Sequence, residues 1–185
     1  MKTKLISTPV EGLLVVEIDA FRDDRGYFIE YWNEGSFSDA GFPDVKFVQN
    51  NESESAYKVL RGLHYQDKTA PMDKLVRCSS GAILDVAVDL RVDSSTFARW
   101  FAVELSEENL KQLWVPVGFA HGFATLSEKA KVQYMCTGFY TPQAEGSIRW
   151  DDPDVKVDWP YKDAVVSEKD GKAPTLKEYL TQPAF

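Results

Sequence analysis

Short runs of alternating apolar and polar residues recur along the chain, with turn signals between them. The clearest is Ala82 to Arg91. Ala82, Leu84, Val86, Val88 and Leu90 fall on one face, and Ile83, Asp85, Ala87 and Asp89 on the other. That period of two is the mark of a strand. Similar runs predict strands over Gly12–Ile18, ended by Asp23-Asp24-Arg25-Gly26, and over Tyr27–Tyr31, Lys46–Gln49, Val59–His64 and Lys74–Cys78. Trp100–Leu105, Leu113–Val115, Gly122–Leu126 and Val132–Tyr140 complete the series. Helix signals are brief. Ser106-Glu107-Glu108-Asn109 reads as a capped turn, and Asn33–Ala40 and Thr175–Leu180 as short helices. Many short strands at even spacing predict an all-β sandwich or barrel rather than an α/β sheet. A jelly roll is the natural choice for 185 residues forming one domain over 1–185.

Composition narrows the function. The net charge of −8 argues against a nucleic-acid or anionic-membrane surface, while leaving room for a local basic pocket that takes a small phosphate. Aromatic residues, 13 % of the chain, suit strands and make stacking surfaces for rings. The amino-terminal run Met1–Ile6 is broken by Ser7, Thr8, Pro9 and Glu11, so no signal peptide is expected. No apolar stretch approaches the roughly 20 residues of a membrane span. Cys78 and Cys136 are too few for a disulfide framework and are expected as reduced thiols in a cytoplasmic protein.

The chain has two histidines, His64 and His121, and histidine is the side chain best suited to take and return protons near neutral pH. There is no His-x-His, no Cys-x-x-Cys, no Gly-x-Ser-x-Gly and no P-loop. Three histidines cannot meet on zinc within one chain. Two histidines and a carboxylate leave a facial triad as a minor alternative, and no cofactor is expected. Phosphate must then be held by side chains, chiefly arginine. His64 follows Gly62 closely, so a bulge is expected to break alternation there. Arg61 before it and Lys74 after it, in one plausible hairpin, give one base and two cations. Cations stabilise the oxyanion that forms when a proton leaves a carbon beside a ketone. On the residues alone His64 is also readable as a hydrogen-bonded structural histidine. Tyr134 and Tyr140, an even number apart on one expected strand, share a face. They read either as an acid and a stacking platform or as core and rim tyrosines. His121, between aromatics and glycines, reads as structural or functional, with Asp85 or Asp89 to orient it. Trp150-Asp151-Asp152-Pro153-Asp154 reads as a solvated acidic loop.

Long motifs in order give the chain a resemblance. They are Asp24-Arg25-Gly26-Tyr27-Phe28, Val59-Leu60-Arg61-Gly62-Leu63-His64-Tyr65-Gln66, Lys74-Leu75-Val76-Arg77 and Asp85–Arg91. Pro116–Phe123, Trp150-Asp151-Asp152-Pro153 and Ser167-Glu168-Lys169-Asp170 follow. Between about Thr8 and Asp170 the chain resembles the dTDP-4-dehydrorhamnose 3,5-epimerase family. The resemblance implies a metal-free, cupin-type jelly roll (a double-stranded β-helix) with a few short helices. It implies a homodimer whose N-terminal strands cross to the partner, a short C-terminal helical tail, and a dTDP-linked 4-keto-6-deoxy sugar as substrate. His64 matches the family's base, Tyr134 its acid, Asp170 the carboxylate that orients the base, and Lys74 the cation near the C4 oxygen. Arg25, Glu30, Gln49, Asn51, Arg61, His121, Glu145 and Lys169 match substrate or phosphate contacts, and Tyr140 the aromatic that stacks on thymine.

The implied reaction inverts C3 and C5 of dTDP-4-dehydro-6-deoxy-D-glucose through an enolate, giving dTDP-4-dehydro-L-rhamnose. Relatives that invert only one of the two carbons leave a mono-epimerase as the alternative. A metal-dependent cupin enzyme and a non-catalytic sugar-nucleotide binding module stand behind it. Many members read Asp-Asn-His where this chain has Asn50-Asn51-Glu52, so Glu52 is expected to alter the edge of the pocket.

Overall fold

The computed structural model describes residues 2–185. Among them, six strands form one antiparallel sheet, in the order β1 (Thr3–Ser7), β2 (Leu14–Ile18), β10 (Gln112–Val115), β7 (Lys74–Ser80), β12 (Lys129–Cys136) and β5 (Gln49–Ala56). Five form the second, in the order β13 (Glu145–Ser147), β6 (Leu60–Gln66), β11 (Phe119–Thr125), β8 (Ala82–Asp89) and β9 (Trp100–Ser106). A small hairpin, β3 (Phe21–Asp23) with β4 (Gly26–Phe28), pairs with neither sheet. Three short helices complete the fold: α1 (Glu34–Asp39), α2 (Glu168–Gly171) and α3 (Leu176–Tyr179). No helix among the described residues is long and apolar enough to cross a membrane.

The two sheets face each other over a core that includes Val15, Val76, Ile83, Leu105, Leu113, Phe119 and Val132. Both outer faces are covered too. Trp32, Phe37, Phe42 and Phe47 pack on Leu75 and Trp114 of the larger sheet. The C-terminal segment lays Val155, Leu176, Tyr179 and Phe185 on Leu63, Val86 and Val88 of the smaller one. Strand β8 is therefore buried on both faces, with the division into two sides that its sequence predicts.

The C-terminal segment is anchored by polar contacts. Asp152 is buried rather than solvated, against the sequence expectation. Its oxygens accept from the backbone N–H groups of Asp154, Val155 and Leu176 at 2.8–3.0 Å, so an acid in a turn becomes the clip that holds α3. Thr175 and Glu178 form a capping box on the same helix.

Other expectations shift for physical reasons. The 46–49 strand runs instead over Gln49–Ala56. Its sequence, Gln-Asn-Asn-Glu-Ser-Glu-Ser-Ala, has no apolar alternation because its inward residues line a cleft rather than a core. Lys129–Cys136 ends before Tyr140, so Tyr134 and Tyr140 do not share a strand. The capped turn after Ser106 is present, with Ser106 and Asn109 exchanging hydrogen bonds through their side chains. Arg61 and Lys74 do not belong to one hairpin, since β6 and β7 lie in opposite sheets. Glu52 turns outward, where its carboxylate accepts from Gln133 at 2.7 Å, and it does not line the cleft.

The break in alternation expected at Gly62 is present. His64 pairs with His121 and Arg61 with Phe123, so Gly62 and Leu63 on β6 stand opposite Gly122 alone on β11. The extra residue puts Arg61 and His64 on the same inward face. The bulge is made by two glycines in contact. A Cβ on Gly122 would stand 2.5 Å from the Arg61 carbonyl oxygen, and one on Gly62 would stand 2.6 Å from the Gly122 Cα. Gly62 also has φ +124°, which L side chains avoid. Gly122→Ala is therefore expected to cost about 1–3 kcal/mol, the range for overpacking a filled interior. Chemical denaturation checks this; a variant as stable as the parent would show that the strands separate freely here.

Candidate active site

At one end of the sandwich the inward positions turn from apolar to polar. Alternation along β5, β12 and β7 points Gln49, Asn51, Ser53, Tyr134 and Lys74 between the sheets. The opposing sheet contributes Arg61, His64, His121 and Glu145. Together they line a cleft in two lobes, of about 500 Å³ and 400 Å³, that share His64, Lys74 and Tyr134. That is the size of a small-molecule site.

His64 Nε2 lies 2.5 Å from Asp170 Oδ1. The two are 106 positions apart, and the path between them is explicit. Val59 bridges to Val165, with Leu60 N–H donating to the Val165 carbonyl at 2.9 Å. Ser167 caps α2, accepting from the Asp170 N–H at 3.1 Å. That short helix then delivers Asp170 to β6. Burial pushes the Asp170 carboxyl up, but hydrogen bonds from His64, Ser167 and the Gly62 N–H outweigh it and hold the group below its usual range. The bulge thus supplies a donor to the carboxylate as well as the geometry of its partner.

The second histidine has its own carboxylate. His121 Nε2 lies 2.8 Å from Asp85 Oδ1, and both are buried. Of the two candidates to orient it, Asp85 does so. Asp89 instead accepts from Arg91, Ser94 and Thr96.

Among the remaining groups, burial pushes the Lys74 ammonium down, while Cys136, Asp85 and Glu145 pull it back up. Burial raises the Tyr134 phenol, Cys136 adds to this, and Arg61 opposes it. Arg61 is held in place by Ser55 Oγ at 2.9 Å and the Glu54 carbonyl at 3.1 Å. Glu145 accepts from Lys169 at 2.6 Å and from the Tyr140 hydroxyl at 2.9 Å. Asn51 accepts from Gln49 at 3.0 Å, and the Gln49 side chain in turn accepts from the Tyr140 N–H at 3.2 Å.

Eleven of the residues singled out in the sequence therefore meet at one cleft: Gln49, Asn51, Arg61, His64, Lys74, His121, Tyr134, Tyr140, Glu145, Lys169 and Asp170. Arg25 and Glu30 do not line it. Arg25 stands exposed in the β3–β4 turn, paired with Asp23 at 2.6 Å. Glu30 accepts from Asn33 at 3.4 Å, near the start of α1. Sequence reasoning missed Gln66, which is buried. Its amide donates to the Ala70 and Phe139 carbonyls and accepts from the Thr141 N–H, fixing the loop that carries Tyr140. It also missed Ser167, although Ser-x-x-Asp before a short helix is a capping signature. No cluster of three metal-ligating side chains occurs among the described residues.

Fold and site together define a jelly-roll protein whose cleft gathers two histidine–carboxylate pairs, a lysine and a tyrosine. The profile of the dTDP-4-dehydrorhamnose 3,5-epimerase family matches residues 7–178. The dTDP-4-dehydrorhamnose 3,5-epimerase of Pseudomonas aeruginosa is 49 % identical over 176 residues, covering 94 % of this chain and 96 % of its own. The crystal structure of dTDP-6-deoxy-D-glucose-3,5-epimerase from Legionella pneumophila, in complex with dTDP-4-keto-L-rhamnose, is 41 % identical with TM-score 0.89, covering 95 % of this chain and 93 % of its own. A 3'-monoepimerase from Streptomyces bikiniensis in complex with dTDP-quinovose is 32 % identical with TM-score 0.89, covering 94 % and 88 % respectively. The chain belongs to the dTDP-4-dehydrorhamnose 3,5-epimerase family, and its fold is the cupin-type jelly roll.

The lowered carboxyl of Asp170 has a consequence for stability. A carboxyl depressed in the folded state stabilises it fully above the ordinary aspartate value of 3.8, and loses that contribution as pH falls through the folded value. Asp170→Asn should therefore flatten the acid limb of the stability profile, with no change in slope near neutrality. Denaturation followed from pH 7 downward measures this; parallel acid limbs would contradict it.

Proposed function

We propose that this protein inverts C3 and C5 of dTDP-4-dehydro-6-deoxy-D-glucose, giving dTDP-4-dehydro-L-rhamnose. The observation that carries the reading is that His64 and Tyr134 line one cleft from opposite sheets, and that Lys74 lines both lobes with them. A base and an acid on two walls are what inversion at a carbon requires.

The C4 ketone acidifies the hydrogens at C3 and C5. His64, oriented by Asp170, takes one of them. The C–H electron pair becomes the enolate, with negative charge on the C4 oxygen, and the Lys74 ammonium stabilises that charge. Tyr134 returns a proton to the opposite face of the same carbon, which inverts it. Solvent then reprotonates the phenolate and takes the proton from His64, and the cycle repeats at the second carbon. The raised Tyr134 phenol keeps its proton until the carbanion demands it. Arg61 and Lys169 serve the diphosphate. Tyr140, exposed at the rim, serves as the platform for thymine, with Gln49, Asn51, His121 and Glu145 as further substrate contacts.

Arg25 and Glu30 enter this reading through a homodimer, in which the β3–β4 hairpin reaches the partner's cleft. Phe21 and Phe28 on that hairpin are exposed by 67 % and 65 %, and burying them is a driving force for association. Cys78 and Cys136 are buried free thiols, in keeping with a cytoplasmic setting.

In D2O the enzyme should carry deuterium into both C3 and C5 of the substrate. Exchange at one carbon makes it a mono-epimerase, and dTDP binding with no exchange makes it a binding module. Exchange lost to a chelator and restored by a transition metal makes it a metal enzyme. His64→Ala should abolish exchange. Tyr134→Phe should still exchange deuterium into recovered substrate, since the His64 imidazolium can trade its proton for a solvent deuteron and return that to the same face, while inverted product falls by about 10²–10⁴-fold. Loss of both in Tyr134→Phe would assign the tyrosine another role. Sedimentation should give a dimer, and Phe28→Asp a monomer that binds substrate more weakly; a monomeric parent would refute the hairpin's part.

A further inference from the structure

The proposed mechanism leaves one buried carboxylate without a task. Asp85 lies on β8, faces the interior of the sandwich and has no exposed surface. Its Oδ1 meets His121 Nε2 at 2.8 Å, and its Oδ2 has no hydrogen-bond partner. Its neighbours on the inward face are Ile83 and Ala87 of β8 and Phe123 across on β11, all parts of the apolar core. A half-paired carboxylate there is a standing cost to stability, so it needs a reason.

Lys74 supplies one. It shares the cavity with His121 and forms no ion-pair contact among the described residues. The groups of opposite or potential negative charge that face it are Cys136 on β12, Asp85 on β8 and Glu145 on β13. Glu145 is engaged by Lys169 at 2.6 Å. The Cys136 thiol is pushed up by burial, so it carries no charge near neutrality. Asp85 is the carboxylate that remains.

We propose that Asp85 is a positioning residue for the epimerisation: Oδ1 holds the His121 ring with its Nε2–H turned inward, and the carboxylate balances the positive charge gathered on that side of the cleft. The proposal rests on the epimerase reading above. The Nε2–H···Oδ1 bond sets the tautomer, because the partner of one ring nitrogen decides what the other presents. The negative charge keeps a cation at Lys74 affordable before substrate arrives, so the site is already arranged for the oxyanion when the proton leaves.

Asp85→Asn keeps the shape and an oxygen acceptor but removes the charge. In the folded variant kcat for exchange at C3 and C5 should fall about 10²-fold, the scale of losing one preorganised oxyanion contribution. The KM and the affinity for dTDP should hold. The alkaline limb of kcat/KM should move to lower pH, since losing a negative neighbour favours the neutral amine of Lys74. A merely structural Asp85 would lower stability without moving that limb. Because the chain has two histidines, a second test needs no variant at Asp85. Long-range 1H–15N spectra of the wild type, with the His64 signals assigned by their loss in His64→Ala, should show His121 protonated at Nε2. An imidazole protonated at Nδ1 alone overturns the proposal, as does a folded Asp85→Asn with parental kcat and an unmoved limb. Absence of exchange in the wild type overturns the epimerase reading and this proposal together, and so is distinct from failure of Asp85 alone.

Discussion

Gly62 and Gly122 meet backbone to backbone, and the cleft depends on that contact. With any side chain at either position β6 and β11 would be forced apart. Without the extra residue on β6, Arg61 would face outward while His64 faced in. The bulge sets both on one wall and frees the Gly62 N–H to bond the Asp170 carboxylate. One local irregularity thus places His64, helps hold its carboxylate partner and positions a guanidinium. A regular strand offers a single face at every second residue and could not do all three.

A second constraint is charge. The interior of a β-sandwich tolerates ionisable groups only when they are answered. At this end of the molecule most of them are. His64 has Asp170, His121 has Asp85, and Lys169 has Glu145. Lys74 forms no ion pair among the described residues; Asp85 is the carboxylate that most favours its charge, while burial pushes it toward the neutral amine. On the proposed reading, the negative charge of the ligand completes what the protein leaves open. A net charge of −8 over the whole chain conceals this small basic interior.

Much of the fold was legible in the sequence. Strand β8 declares both its faces because each is buried against apolar neighbours, and Gly62, two residues before His64, signals the bulge. Strand β5 was misplaced because its inward residues serve a ligand, so the hydrophobic signal that marks strands is missing. The Tyr134–Tyr140 pairing failed because the strand ends at Cys136 and a loop, pinned by Gln66, carries the chain on. The residues of the cleft were legible mainly through motifs in their order. Period and composition alone could not join His64 to Asp170, since nothing local records a contact across most of the chain. The same holds for Lys74, which comes from the opposite sheet rather than from a hairpin with Arg61.

The long reach from His64 to Asp170 has a further consequence. The sandwich can be complete while His64 still lacks its carboxylate, because Asp170 arrives on a segment outside both sheets. That segment is held by the Asp152 clip, the Thr175 cap and the packing of Tyr179 and Phe185. A brief local opening of this kind leaves the sheets intact yet parts the carboxylate from the imidazole. On the proposed reading, turnover becomes a gauge of how firmly the covering layer sits, and sequence changes far from the cleft acquire a route to its chemistry.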